Sequence, residues 1–183
     1  MFAGLELSGD GRIPFSTRVL RLFAYGFLSV ILALYLGQLG LSEVNIGLIL
    51  TLTLLGDTAI SLWITTHADR IGRRRMLIAG ALLMLLAAAV FALTRNFYLL
   101  VLAAIIGVIS PSGNEVGPFL PIEQAALSQV VPPASRTSVF AWYTLAGALA
   151  TAAGSLAGGG LSETLHSYRI VVLLYAAVGV LLA

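Results

Sequence analysis

Charged residues are scarce in this sequence, and lysine and cysteine are absent. Only 10% of the 183 residues are charged, whereas 59% are hydrophobic and the mean hydropathy is +1.00. A soluble domain carries about 25% charged residues, so a water-exposed globular surface is excluded. The same figures exclude a disordered chain, and the lack of cysteine excludes disulfide frameworks and thiolate metal sites. The chain is therefore predicted to be a membrane protein.

Positive charge is too sparse for a surface that binds nucleic acid. The formal net charge is only +2, and basic side chains are spread over short polar stretches rather than concentrated on one face. His67 and His166 share no face with a third metal ligand. We therefore expect no nucleic-acid partner, no metal and no other cofactor.

Six apolar segments are candidates for membrane spans, since a helix needs about 20 residues to cross the hydrocarbon layer. The predicted spans are Val19–Leu36, Val44–Thr65, Met76–Leu93, Phe97–Val130, Ser138–Leu156 and Tyr168–Ala183. Residues 1–18 are predicted to form a cytoplasmic N-terminal segment and residues 19–183 a six-helix bundle. The sixth run is still apolar where the sequence stops, so we expect the chain to be truncated within that helix.

The fourth segment is too long for one plain span and contains several helix breakers. These are Pro111, Gly113, Gly117, Pro118 and Pro121. Breakers free backbone N–H and C=O groups at membrane depth, which is tolerated only inside protein or beside a cavity. A broken helix is therefore predicted here.

The arginines indicate an orientation. With six spans, eight arginines fall on one side of the membrane and only Arg95 and Arg169 on the other. Because positive charge is concentrated in cytoplasmic loops, the N-terminus is predicted to be cytoplasmic. The expected location is the cell membrane, as a multi-pass protein.

The stretch Asp69 to Arg75 is predicted to be a tight basic loop between the second and third spans. Gly72 permits a sharp turn, and Asp69 can accept hydrogen bonds from arginine. The order Asp-Arg-x-Gly-Arg-Arg at this place resembles the cytoplasmic loop signature of the major facilitator superfamily. The matching residues are Ala68, Asp69, Arg70, Gly72, Arg73 and Arg74.

This resemblance implies an all-α membrane fold, with six transmembrane helices arranged as two three-helix inverted repeats. Such a bundle is one half of a twelve-helix transporter. The resemblance implies that Asp69 and Arg73 act as a latch between the halves, through charge contacts that depend on the conformational state. The implied partners are a small-molecule solute, protons, the lipid bilayer and a missing C-terminal six-helix half.

Small residues recur four positions apart in the fifth span, at Ala150, Gly154 and Gly158. The stretch is similar to the fifth-helix motif of the drug-antiporter branch, with Ser155 in place of its proline. Small residues at this spacing allow close helix packing in lipid whatever the protein does, so packing is favoured over a substrate gate.

Three acids lie inside the apolar runs: Asp57, Glu115 and Glu123. A charge at mid-bilayer costs about 2.5–3.5 kcal/mol, so each acid is expected to face a cavity, pair with another group or carry protons. Glu115 and its neighbour Asn114 lie among the helix breakers, where cavity lining and proton uptake are predicted. The alternative is that Glu115 only bonds freed backbone groups. Glu123 precedes Arg136 closely and is a candidate for pairing with arginine.

These features predict a secondary active transporter of a small solute, working by alternating access with proton coupling, and not an enzyme. The sequence also leaves two alternative functions open. One is a membrane-embedded enzyme that uses Asp57, Glu115 and Glu123 as acid–base groups or metal ligands. The other is a membrane interaction protein without transport activity.

Overall fold

The computed structural model describes residues 9–113, 118–165, 175–178 and 180, and the regular structure within them is helical. The helices are α1 Gly9–Gln38, α2 Glu43–Ile71, α3 Arg73–Leu93, α4 Phe97–Ile106, α5 Phe119–Val130 and α6 Arg136–Leu165. One turn of 3-10 helix, Pro133–Ser135, precedes α6. Four described segments are long and apolar enough to cross a membrane: Phe15–Gln38, Glu43–Ile71, Arg73–Leu93 and Pro133–Leu161.

A single residue, Gly72, separates α2 from α3. Its φ of 109° lies in a region that only glycine adopts easily, and its N–H donates to the Ala68 carbonyl at 2.9 Å. The turn predicted at Gly72 is confirmed, but the prediction that the loop extends from Asp69 to Arg75 is wrong. Asp69 continues α2 and the arginines from Arg73 begin α3, because charged side chains that point to water do not stop a helix.

Helix α1 is more buried than the other long helices of the described residues, and α6 packs along it. The enclosed side chains of α1 include Leu22, Tyr25, Phe27, Leu28, Ile31, Leu32, Tyr35 and Leu36. A Cβ added to Gly154 would overlap the Phe23 carbonyl oxygen, and one added to Gly158 would lie 2.6 Å from that of Phe27. Ser155 donates to the Gly26 carbonyl at 3.1 Å. The small residues of α6 therefore let the two backbones touch.

Replacing Gly154 with alanine is expected to destabilise the bundle by about 1–3 kcal/mol, because the added Cβ meets backbone rather than a flexible side chain. Thermal unfolding of the detergent-solubilised protein measures this loss. Gly159→Ala is the matched control, since a Cβ at Gly159 would meet no other described helix within 4 Å. Equal unfolding temperatures for the two variants would contradict the close approach of α1 and α6.

Helix α4 packs against α2 at Gly56. A Cβ added to Gly56 would overlap the carbonyl oxygen of Ile105, so the two helices touch backbone to backbone. α4 has 10 residues and ends before Gly107, whereas α5 begins at Phe119. The predicted break is confirmed, because residues 107–113 between these helices are not helical.

The all-helical prediction is also confirmed over the described residues. Helix α1 begins at Gly9, so the predicted boundary between residues 18 and 19 falls inside a helix. The predicted sixth span, from Tyr168 onward, lies largely outside the described residues, of which 175–178 are helical. The count of six spans and their arrangement as inverted repeats stay predictions.

Candidate functional site

A buried ion pair joins α1 to α5. Arg21 donates from its two terminal nitrogens to the two carboxylate oxygens of Glu123, at 2.9 and 2.8 Å. The exposed fractions are 1% for Arg21 and 4% for Glu123. This two-point geometry is the strongest that a guanidinium and a carboxylate can form.

Side chains of α1 and α6 complete the surroundings of Glu123. Thr17 donates to its Oε1 at 3.2 Å, and the Tyr143 hydroxyl donates to its Oε2. The guanidinium of Arg18 lies 4.2 Å from the centre of the Tyr143 ring. Several hydrogen bonds to one carboxylate offset the desolvation of a buried charge. We call Thr17, Arg18, Arg21, Glu123 and Tyr143 the arginine–glutamate cluster.

Arg136 is not the partner of Glu123, contrary to the pairing that sequence proximity favoured. It donates instead to the backbone oxygens of Ser128 and Val131, at 2.8 and 3.2 Å. These bonds satisfy carbonyl groups at the end of α5, where a helix lacks its own donors. Glu123 lies earlier in α5 and contacts α1, so its countercharge comes from Arg21.

Asp57 is a second buried acid, with different surroundings. Its side chain has an exposed fraction of 0% in the middle of α2. Neither carboxyl oxygen has a hydrogen-bond partner among the described residues. The carboxyl lies beside the backbone N–H of Ile109, in the break after α4. An ionised carboxylate without partners is strongly disfavoured in such a place, so this geometry fits the neutral acid.

One peptide group of the break lies between Asp57 and a tyrosine. The Tyr175 hydroxyl donates to the Val108 carbonyl at 3.1 Å, and Tyr175 interacts electrostatically with Asp57. The N–H at the other end of the same peptide group, on Ile109, donates to the Gly107 carbonyl at 2.9 Å. We call Asp57, Tyr175 and the peptide group joining Val108 to Ile109 the break centre.

Asp69 and Arg73 lie on either side of Gly72 at one end of the bundle. Arg73 donates to the Asp69 carboxylate at 3.1 Å and to the Gln129 side chain of α5 at 3.1 Å. Asp69 is 80% exposed and Arg73 31%. Because water screens such a pair, it contributes only about 0–1 kcal/mol to stability. Its geometric effect is to tie the α2–α3 turn to the helix that carries Glu123.

The remaining predicted residues have varied positions. Arg70 and Arg74 are exposed. Asn114 and Glu115 lie outside the described residues. Asp57 and Glu123 have different neighbours, so the carboxyl pair that an enzyme would need is not assembled from these two acids.

Arg21, Tyr143 and Tyr175 were missed as site residues by reasoning from the sequence. Arg21 follows Arg18 by three positions, so both share a helix face that enters an apolar run. That spacing was the available signal for the buried pair. Tyrosines inside apolar runs have no comparable signal, because nothing local distinguishes a packed ring from a bonded hydroxyl.

Comparison with known proteins decides the family. Residues 15–183 match the sequence model of the Major Facilitator Superfamily. The chain belongs to this superfamily. The superfamily is one of membrane transporters, which agrees with the membrane-spanning helices described above.

Relatives of this superfamily member come from yeast and bacteria. The uncharacterised membrane protein YJR124C of Saccharomyces cerevisiae is 40% identical over 179 residues, which cover 92% of this chain and 40% of the relative. Quinolone resistance protein NorA of Staphylococcus aureus strain MRSA252 is 26% identical over 156 residues, covering 85% and 38%. This superfamily member therefore spans about two fifths of the length of the curated relatives it matches.

Proposed function

We propose that the chain is the N-terminal half of a secondary active transporter that moves a small solute by alternating access and is driven by protons. The observation that carries this proposal is the buried carboxyl of Asp57, which lies beside the break in the fourth segment and has no hydrogen-bond partner among the described residues. Helix ends and freed backbone groups within a membrane are typical of transporter binding sites. An acid beside them can bind and release a proton as its surroundings alternate between two states.

The buried acids have different roles in this proposal. Glu123 is ionised and tied by Arg21, Thr17 and Tyr143, so it holds helices together. Asp57 lacks such partners among the described residues and is the proton carrier. Asn114 and Glu115 are proposed as further cavity residues, on their position among the helix breakers.

A second six-helix half is proposed to complete the cavity. The relatives are about two and a half times as long as the part matched here, which leaves room for a second bundle.

The proposed location is the cell membrane, with the N-terminus and the arginines at 73–75 facing the cytoplasm. A cysteine in place of Arg73 is expected to react with an impermeant thiol reagent from the inside only. Reaction from the outside would contradict this orientation.

The turn around Gly72 is proposed to act as the latch between the halves. Arg73 contacts Asp69 and Gln129 in the described conformation, so the latch and α5 move together. Arg70 and Arg74 supply positive charge at the membrane surface. Contacts of this kind matter when they form in one access state and not in the other.

Asp69→Asn in the full-length transporter is expected to slow turnover about tenfold, with membrane insertion unchanged, because a state-dependent contact shifts populations. Initial rates of solute uptake and the amount of inserted protein measure the two effects. Arg74→Gln is the control. It also removes an exposed charge of this motif, but it leaves the described contact between Asp69 and Arg73 intact. Unchanged rates in Asp69→Asn, with unchanged accessibility of cytoplasmic-side cysteines, would leave Asp69 as a surface residue of α2 without a role in the latch.

Transport by the full-length protein in proteoliposomes tests the proposed function. A panel of small organic solutes is offered with and without an imposed pH difference. Quinolones are included because one relative is named for quinolone resistance. At least one solute is expected to accumulate when the pH difference is present and to equilibrate after a protonophore is added. Failure of every solute to respond to the pH difference, in folded protein, would count against proton-driven transport.

A further inference from the structure

We propose that the peptide group joining Val108 to Ile109 is a switch operated by the proton on Asp57, with Tyr175 as its positioning residue. This inference rests on the proposed function and adds how a single proton changes the shape of the fourth segment.

The described conformation is one position of this switch. The Tyr175 hydroxyl holds the carbonyl end of the peptide group at 3.1 Å. The N–H end lies beside Asp57 but donates to the Gly107 carbonyl at 2.9 Å, closing a three-residue turn. Asp57 receives no hydrogen bond from any described residue. This is the arrangement expected for a neutral acid.

Loss of the proton reverses the preference of the Ile109 N–H. A carboxylate accepts hydrogen bonds that are about twice as strong as those to a neutral carbonyl. The N–H therefore moves from the Gly107 carbonyl to Asp57, and the turn that ends α4 opens. The Tyr175 hydroxyl donates to the carbonyl end of the same peptide group. This bond polarises the peptide group and strengthens the hydrogen bond from the Ile109 N–H to Asp57. The proton passes to water and no covalent bond other than the O–H is broken.

Few charged groups of the described residues lie near Asp57. The electrostatic neighbours of Tyr175 are Tyr25, Asp57 and Arg21. Arg21 is already bound by both oxygens of Glu123. The sequences of α4 and of α3 after its first-turn arginines contain no charged residue. The Ile109 N–H is therefore in position to donate a hydrogen bond to the carboxylate when Asp57 loses its proton.

The opening of the turn can be followed through the accessibility of a cysteine, and this experiment does not require the solute to be known. Ser110 follows the peptide group directly and is 1% exposed. Ser110→Cys is introduced into an otherwise cysteine-free full-length protein, and its maleimide reaction is followed at low and at high pH. Rates are divided by those of Arg95→Cys, an exposed position, to remove the ionisation of the thiol itself. The normalised rate is expected to rise about tenfold at high pH, as the turn opens.

Three variants in this background decide the outcome. Asp57→Asn is expected to react slowly at both pH values. Tyr175→Phe, which keeps the ring, is expected to react faster at low pH and to lose most of the pH dependence. Tyr25→Phe is the matched control, because its ring lies 6.3 Å from that of Tyr175 but it holds no described bond to Val108, and it is expected to behave as the parent.

Full pH dependence in Asp57→Asn would overturn the proposal, and so would Tyr175→Phe behaving as Tyr25→Phe does. If Tyr175→Phe fails to fold, the Asp57→Asn comparison decides alone. Solute accumulation is a separate readout. Its absence with an intact pH response at position 110 would count against the proposed function and leave the switch standing.

Discussion

Glutamine in place of Glu123 is expected to destabilise the bundle by about 3–5 kcal/mol, because it leaves a buried guanidinium without its countercharge. Arg21 is 1% exposed in the described conformation, so its guanidinium is largely desolvated. The Tyr143 hydroxyl also loses its charged acceptor. Thermal unfolding in detergent measures the loss, and size-exclusion chromatography measures the fraction of folded, monodisperse protein.

Replacing both members of the ion pair distinguishes two effects. One is the loss of their mutual attraction, and the other is the cost of leaving one buried charge without its partner. The double variant Arg21→Met, Glu123→Leu is expected to recover most of the stability, since apolar side chains of similar size often replace buried pairs without loss. Asp57→Asn is the matched control. It removes a buried acid that has no described partner and is expected to stay within about 1 kcal/mol of the parent. An unchanged unfolding temperature for Glu123→Gln would show that the ion pair does not hold α1 to α5.

Asp57→Asn is expected to abolish accumulation driven by a pH difference while leaving solute exchange at equal pH intact. The amide has the same size as the neutral acid and occupies the same site, but it cannot release a proton. Exchange depends only on alternation between access states, which a permanently neutral residue allows. Proteoliposome assays under the two conditions, with equal amounts of folded protein, measure this separation.

Glu115→Gln is the parallel variant, because Glu115 is the other predicted proton carrier. If accumulation survives in Asp57→Asn and is lost in Glu115→Gln, coupling belongs to Glu115. If exchange and accumulation fail together in Asp57→Asn, the residue is structural. Either result would remove Asp57 from the transport cycle.

Features with a local signal could be predicted from the sequence. The helices follow from apolar runs, and the break follows from Pro111 and Gly113. The exact ends could not be predicted, because exposed charges such as Asp69 are compatible with either a helix or a loop. The turn at Gly72 was predictable because glycine favours such a conformation, and its positive φ ends α2 there.

The partners of the buried acids could not be predicted, because they depend on packing between distant segments. Arg21 and Glu123 are 102 positions apart, so their contact follows from how α1 and α5 lie together. The sequence marks Asp57 as an acid that is costly in lipid, but only the packing of α2 against α4 shows that it lacks a described partner. The role of Tyr175 is equally non-local.

The shortness of α4 constrains how the protein is assembled during synthesis. Ten helical residues measure about 15 Å, roughly half the hydrocarbon thickness. Such a segment is not expected to enter lipid alone, because the non-helical backbone at 107–113 includes groups such as the Val108 carbonyl whose described partner lies in a distant segment. We expect it to be inserted together with α3 and to be shielded by α2, which touches α4 at Gly56. Because α2 and α3 precede α4 in the chain, they leave the ribosome first and can shield the non-helical backbone from lipid when it forms.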